Sequence, residues 1–131
     1  MSKQSCKIEL DWFNPVLNPN KKTQLNPKTG RRKAIHWSVR ARAKKIQRAD
    51  TTWLALAAGK PSERDIYELN VMFYPPCKRG RDIDNCMAAL KSAFDGIADA
   101  WGVNDKNFRY PNPDFGEVVE GGKITIEVVA V

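Results

Sequence analysis

The run Arg79-Gly80-Arg81-Asp82-Ile83-Asp84-Asn85, followed by Lys91, Asp95 and the pair Asn104-Asp105, sets several carboxylates and one lysine around a single expected helix. The chain that carries them is basic, with a net charge of +7. Carboxylates repel a polyanion unless positive charge stands between, so acidic residues in a nucleic-acid binder either face away or carry a divalent cation such as Mg2+ or Mn2+. Asp82, Asp84 and Asp105 supply the hard oxygen ligands that Mg2+ prefers. An ion held there would polarise a phosphodiester and lower the pKa of a bound water, with Lys91 pairing with the scissile phosphate or orienting the attacking water.

The spacing has a geometric meaning. A helix turns about 100° per residue, so Asp84, Lys91 and Asp95 fall on one side of it, with the small Ala88 between. Asp82 sits at the helix entrance, and Asp105 is expected to return beside it from the following turn. Each residue also has a plainer role. Asp82 can serve only as an N-cap, Asp95 can form a helical ion pair with Lys91 worth about 0.3–0.5 kcal/mol, and Asp105 can be a turn residue. Asp99 reads as surface.

These residues need a scaffold, and the hydrophobic pattern predicts one. Cys6–Trp12 alternates apolar and polar residues, as a half-buried strand does. Asn14–Lys33 is rich in Asn, Pro, Lys and Thr and reads as a long basic loop, with a turn at Asn26–Gly30. A helix is predicted from Ser38, as N-cap, to Ala58, with Val39, Ala43, Ile46, Ala49, Trp53 and Leu56 as its buried stripe. Ile66–Tyr74 reads as a second strand, ended by Pro75-Pro76. The acidic helix should run unbroken from Asp82 to Trp101, burying Ile83, Met87, Leu90, Phe94, Ile97 and Trp101, with Gly102 as a left-handed terminator. Phe108–Tyr110 and Glu117–Val119 are short strand candidates, and Lys123–Val131 is a clear one. The order β-α-β-α-β-β predicts an α+β fold, a single domain over 1–131, with one small mixed sheet packed against two helices.

Composition narrows the class further. A chain of 131 residues buries enough surface to fold as one domain without a structural metal. The N-terminal segment lacks the apolar core of a signal peptide, and three cysteines (Cys6, Cys77, Cys86) cannot all pair within one chain, so a reduced, cytoplasmic protein with no membrane span is expected. Residues 1–60 hold 14 Lys and Arg against 3 Asp and Glu, whereas residues 61–131 hold 8 against 12. A phosphate-attracting part is thereby separated from an acidic part that would need cations.

Taken together, Asp82-Ile83-Asp84-Asn85, then Lys91, Asp95 four residues later, and Asn104-Asp105 after the helix resemble the RusA family of Holliday-junction resolvases, in its phage-type branch. Leu17-Asn18-Pro19-Asn20 and Ile35-His36-Trp37 extend the likeness upstream. The resemblance implies a small dimeric endodeoxyribonuclease that resolves four-way DNA junctions by paired symmetric cuts, with Asp82, Asp84 and Asp105 binding Mg2+ (Mn2+ substituting) and Lys91 catalytic. Asn85 and Asp95 are implied as supporting residues. Two departures stand out: Lys91 lies seven residues after Asp84 where the bacterial prototype has four, and Asn104 replaces the first aspartate of an acidic pair.

Lys21, Lys22, Lys28, Arg31, Arg32 and Lys33 of the loop, with Arg40, Lys44 and Arg48 of the helix, are the expected phosphate contacts. Trp37 or Phe13 could stack on an unpaired base, although aromatic residues in such places are more often core. His36 is too isolated to act as a general base. Two other readings fit the same residues: a non-catalytic basic DNA-binding module, and a metal-dependent nuclease for other branched nucleic acid.

Overall fold

The computed structural model describes residues 4–131; Met1–Lys3, part of the expected domain 1–131, lie outside the described residues. The chain forms a single α+β domain. Strands β1 (Ser5–Asp11), β4 (Tyr67–Tyr74) and β7 (Lys123–Ala130) make the body of a mixed sheet in the order β1-β7-β4. Two short strands, β5 (Phe108–Arg109) and β6 (Asp114–Phe115), lie parallel to β4 on its other side. Register follows the alternating pattern: Ile8 faces Ile126, which faces Val71, and Leu10 faces Ile124, which faces Phe73. All six are buried. Each contributes about 1.5–3 kcal/mol relative to exposure, so a one-residue slip would put the whole row into solvent.

The sequence places β1, β4 and β7 within one or two residues. It errs at the sheet edge, where Glu117–Val119 is not a strand and Asp114–Phe115 is. The expected basic loop also holds more structure than predicted: a 3-10 turn at Pro15–Leu17, and a hairpin of β2 (Thr23–Leu25) and β3 (Arg32–Ala34) around the Asn26–Gly30 turn.

Helix α1 (Trp37–Ala58) starts one residue early, because the Nδ1 of His36, and not the side chain of Ser38, accepts the backbone N–H of Ser38 and caps the first turn. Its orientation differs from the predicted stripe. The buried face is Ala43, Thr51 and Ala55, whereas Ile46 is 51% exposed, Trp53 73% and Leu56 51%. The cause is close approach to α3 (Lys91–Trp101): at Gly96 an added Cβ would stand 2.5 Å from the Arg48 carbonyl oxygen. Only small residues fit such a seam, so the bulky apolar ones turn outward.

The acidic helix is not continuous. It consists of α2 (Ile83–Ala89) and α3, separated by Leu90 with φ −99° and ψ 4°. Helix α3 ends as predicted, with Gly102 left-handed at φ 65°. Among the described residues no helix is long and apolar enough to cross a membrane.

Candidate functional site

Asp82 is the N-cap of α2: its Oδ1 accepts the Asp84 backbone N–H at 2.9 Å. Asp82 and Asp84 are both exposed at the first turn, where the helix dipole favours negative charge. Half-buried Asn85 lines, with Asp82 and Arg81, a cleft whose opposite wall is Pro15, Asn18 and Lys21. Arg81 shapes this entrance. Its guanidinium donates to the Cys77 and Arg79 carbonyls and stacks over the Trp12 ring at 5.3 Å.

A second cluster forms at the start of α3. The Lys91 ammonium donates to Asp95 at 2.7 Å and to Asp105 at 3.0 Å. Asp95 lies one turn along α3 and is half-buried; Asp105 opens a 3-10 turn, Asp105–Asn107, capped by Asn104 through its side-chain oxygen and the Lys106 N–H. Hydrogen bonds donated to Asp95 first and Asp105 second raise the Lys91 pKa above its ordinary 10.5. In return, the Lys91 hydrogen bond holds the Asp105 carboxyl below its ordinary 3.8. The Tyr110 phenol, packed on Phe94 at 4.7 Å and pushed up to about 12 mainly by burial, feels the charges of all three.

The predicted site residues thus divide into two groups. Lys91, Asp95 and Asp105 come together, while Asp82 and Asn85 line the entrance cleft, and Asp105 lines a different one with Asp95, Asp99 and Asn104. Among the described residues no three Asp, Glu, His or Cys side chains are grouped so as to hold a metal ion. The donors of Asp82, Asp84 and Asp105 suit Mg2+ in kind, as hard carboxylate oxygens, but their arrangement does not form a ready chelate. The break at Leu90 also interrupts the ladder expected from Asp84 to Lys91.

The basic residues divide as well. Lys22, Lys28, Arg31, Lys33 and Lys44 are exposed and make no ion pair among the described residues. Half-buried Lys21 stands in the wall of the entrance cleft. Arg32 is engaged within the hairpin, its Nε donating to Thr23 Oγ1 at 2.9 Å. Arg40 is a clamp, donating to the carbonyls of Asn18 and Lys21 and so holding the basic segment on α1. Arg48 is neutralised by Asp99 on α3, with contacts of 2.6 and 2.9 Å. Asp99 is therefore a partner, not idle surface. Phe13 is core, whereas Trp37 is 75% exposed beside the hairpin.

Sequence reasoning missed Gln47, Tyr110 and the cap role of His36. Tyr110 carried only its place at the end of a predicted strand, and Gln47 carried no local signal.

No family model matches the chain. An uncharacterized protein of Xylella fastidiosa (strain Temecula1 / ATCC 700964) is 31% identical over 134 residues, an alignment that spans 98% of this chain and 79% of the relative. The chain belongs to the family of that Xylella fastidiosa protein.

Proposed function

We propose that the chain is a Mg2+-dependent, structure-specific endodeoxyribonuclease of the RusA type, a cytoplasmic homodimer that resolves four-way DNA junctions by paired symmetric cleavage. The observation that carries this reading is the Lys91 cluster. Two carboxylates from separate elements converge on one exposed ammonium, Asp95 at 2.7 Å and Asp105 at 3.0 Å. Surface ion pairs contribute little to stability, about 0–1 kcal/mol, so folding alone gives weak reason to assemble them.

Chemistry supports the same conclusion. Two carboxylates around one ammonium leave a net negative charge, so a DNA phosphate approaches only with a cation between. When bound, Mg2+ or Mn2+ would supply that charge and activate water. Asp82, Asp84 and Asp105 are the carboxylates proposed to hold the ion, Asp82 and Asp105 coming together from the separate clefts they now line, and Lys91 is the group proposed to meet the scissile phosphate. The exposed lysines and arginine of the hairpin, with Lys44, provide sequence-independent affinity for the backbone. A junction presents two symmetric strands, which a two-fold dimer matches. The apolar side of α1, with Ile46 and Trp53 in solvent, offers surface for a second copy.

A labelled four-way junction incubated with Mg2+, with Mn2+ and with EDTA tests the proposal. Symmetric nicks that disappear on chelation are expected. A second reading, a basic DNA-binding module without catalysis, is favoured by the absence of a grouped metal cluster among the described residues. Tight junction binding with no nick under either metal would establish it. Preferential cutting of flaps or RNA branches would move the activity to another branched substrate.

A further inference from the structure

In an unbroken helix each backbone N–H donates to the carbonyl four residues earlier. At the joint between α2 and α3 the Ala93 N–H instead donates to Oε1 of Gln47 on α1, at 3.1 Å. The same carboxamide donates through Nε2 to the Ala89 carbonyl, also at 3.1 Å. Ala89 and Ala93 are the two ends of the rung that continuity would require. One side-chain amide therefore occupies the place of one backbone hydrogen bond and satisfies both halves, as expected where a side chain inserts into a helical ladder. The ladder resumes at the next position, where the Phe94 N–H donates to the Leu90 carbonyl at 3.1 Å.

Two further contacts hold Gln47 in reach. Thr51 Oγ1 donates to the Gln47 carbonyl at 2.7 Å, and Thr52 Oγ1 donates to the Gly96 carbonyl at 3.1 Å, tying α1 to α3. Gly96 permits the close approach. The first residue after the joint is Lys91, whose ammonium meets Asp105 from the 3-10 turn beyond α3. In a continuous helix Lys91 would fall within about 20° of Asp84 and about 10.5 Å along the axis. The inserted amide replaces that geometry.

We propose that Gln47 is a positioning residue: its carboxamide breaks the acidic helix at Leu90, sets the first turn of α3, and so aims Lys91 at Asp105. Its consequence for cleavage rests on the proposed role of Lys91. The structural part does not.

The test uses the full chain with Gln47→Ala and with Gln47→Met, the latter keeping side-chain volume so that the fold survives even if the alanine variant is too unstable. Wild-type protein should show a hydrogen-bond scalar coupling in NMR between the Ala93 amide nitrogen and the Gln47 side-chain carbonyl carbon. In the variants, Ala93 should couple to the Ala89 carbonyl, and the nuclear Overhauser contact between the Lys91 ε protons and the Asp105 β protons should weaken as Lys91 moves away. With a junction substrate, kcat should fall about tenfold while KM stays unchanged. A folded methionine variant that shows no Ala93–Ala89 coupling and keeps the Lys91–Asp105 contact would overturn the proposal. If wild-type protein cuts no nucleic acid, the nuclease reading fails by itself, and the Ala93 coupling with the Lys91–Asp105 contact still decides the role of Gln47. If the Lys91–Asp105 contact weakens and wild-type cutting is robust but kcat is unchanged, the link from Gln47 through Lys91 to catalysis is refuted.

Discussion

Lys91 Nζ stands 3.0 Å from Asp105 Oδ2, a contact that joins the first turn of α3 to the 3-10 turn beyond its end. Its pH dependence has two limits. The Asp105 pKa is depressed in the folded chain, so its contribution to stability is fully present above 3.8 and is lost as pH falls through the lower folded value. The Lys91 pKa is raised, so its contribution is fully present below 10.5 and is lost as pH climbs through the higher folded value. The pair should therefore be intact throughout 3.8 to 10.5. An NMR titration should find the Asp105 carboxyl below 3.8 in the wild type and nearer that value in Lys91→Met. Equal midpoints in the two proteins would show that the contact is absent in solution.

Asp82 and Asp84 can be separated by their local jobs. The Asp84 carboxylate makes no hydrogen bond or ion pair among the described residues, so Asp84→Asn should alter stability by no more than about 1 kcal/mol. Cutting should nonetheless drop by about 100-fold or more, with junction binding retained. Asp82 is a cap whose oxygen Asn can replace, so Asp82→Asn should melt like wild type while Asp82→Ala loses about 1 kcal/mol. If both Asp82 variants cut normally, the carboxylate serves only the helix end.

How much of this was legible in the chain depends on the range of the forces. Strands β1, β4 and β7 could be read because a period of two is local, and burial follows it residue by residue in β1 and β4 and in β7 outside the buried Thr125. The Lys91–Asp95 pair was equally local, one helical turn apart. Helix α1 was read correctly at Ala43 but misread at Ile46 and Trp53, because hydrophobicity ranks these above Thr51 and Ala55, whereas the seam with α3 selects size. The break at Leu90 was invisible because its cause, Gln47, sits on a different helix. The contact of Asp105 with Lys91 joins residues fourteen positions apart, beyond the reach of a local pattern.

The α1–α3 seam predicts the effect of Gly96→Ala. An added Cβ would lie 2.5 Å from the Arg48 carbonyl oxygen and 3.1 Å from Thr51 Cβ. Alanine gains about 1 kcal/mol of helix propensity over glycine, but the nearest obstacle is backbone that cannot rotate away. Overpacking of this kind costs about 1–3 kcal/mol or more. The net should be a loss of Tm of a few degrees, about 3–10 °C, in thermal unfolding. A stabilised variant would mean that the helices stand farther apart than described.

Arg48 and Lys44 lie one helical turn apart on α1 but should behave differently toward DNA. The Arg48 guanidinium is already paired with Asp99, which raises the Arg48 pKa and lowers that of Asp99, so little of its charge is left for phosphate. Lys44 is exposed and unpaired among the described residues, as is Lys33 on the hairpin. Each phosphate contact contributes about 0.9 to the slope of log affinity against log salt concentration. Lys44→Ala and Lys33→Ala should each flatten the measured slope by about that amount. Arg48→Ala should leave the slope unchanged and lower Tm, because it removes a link between α1 and α3. Fluorescence anisotropy of a labelled junction across a salt series separates the outcomes, and a flattened slope for Arg48→Ala would mean that DNA pulls this arginine from Asp99.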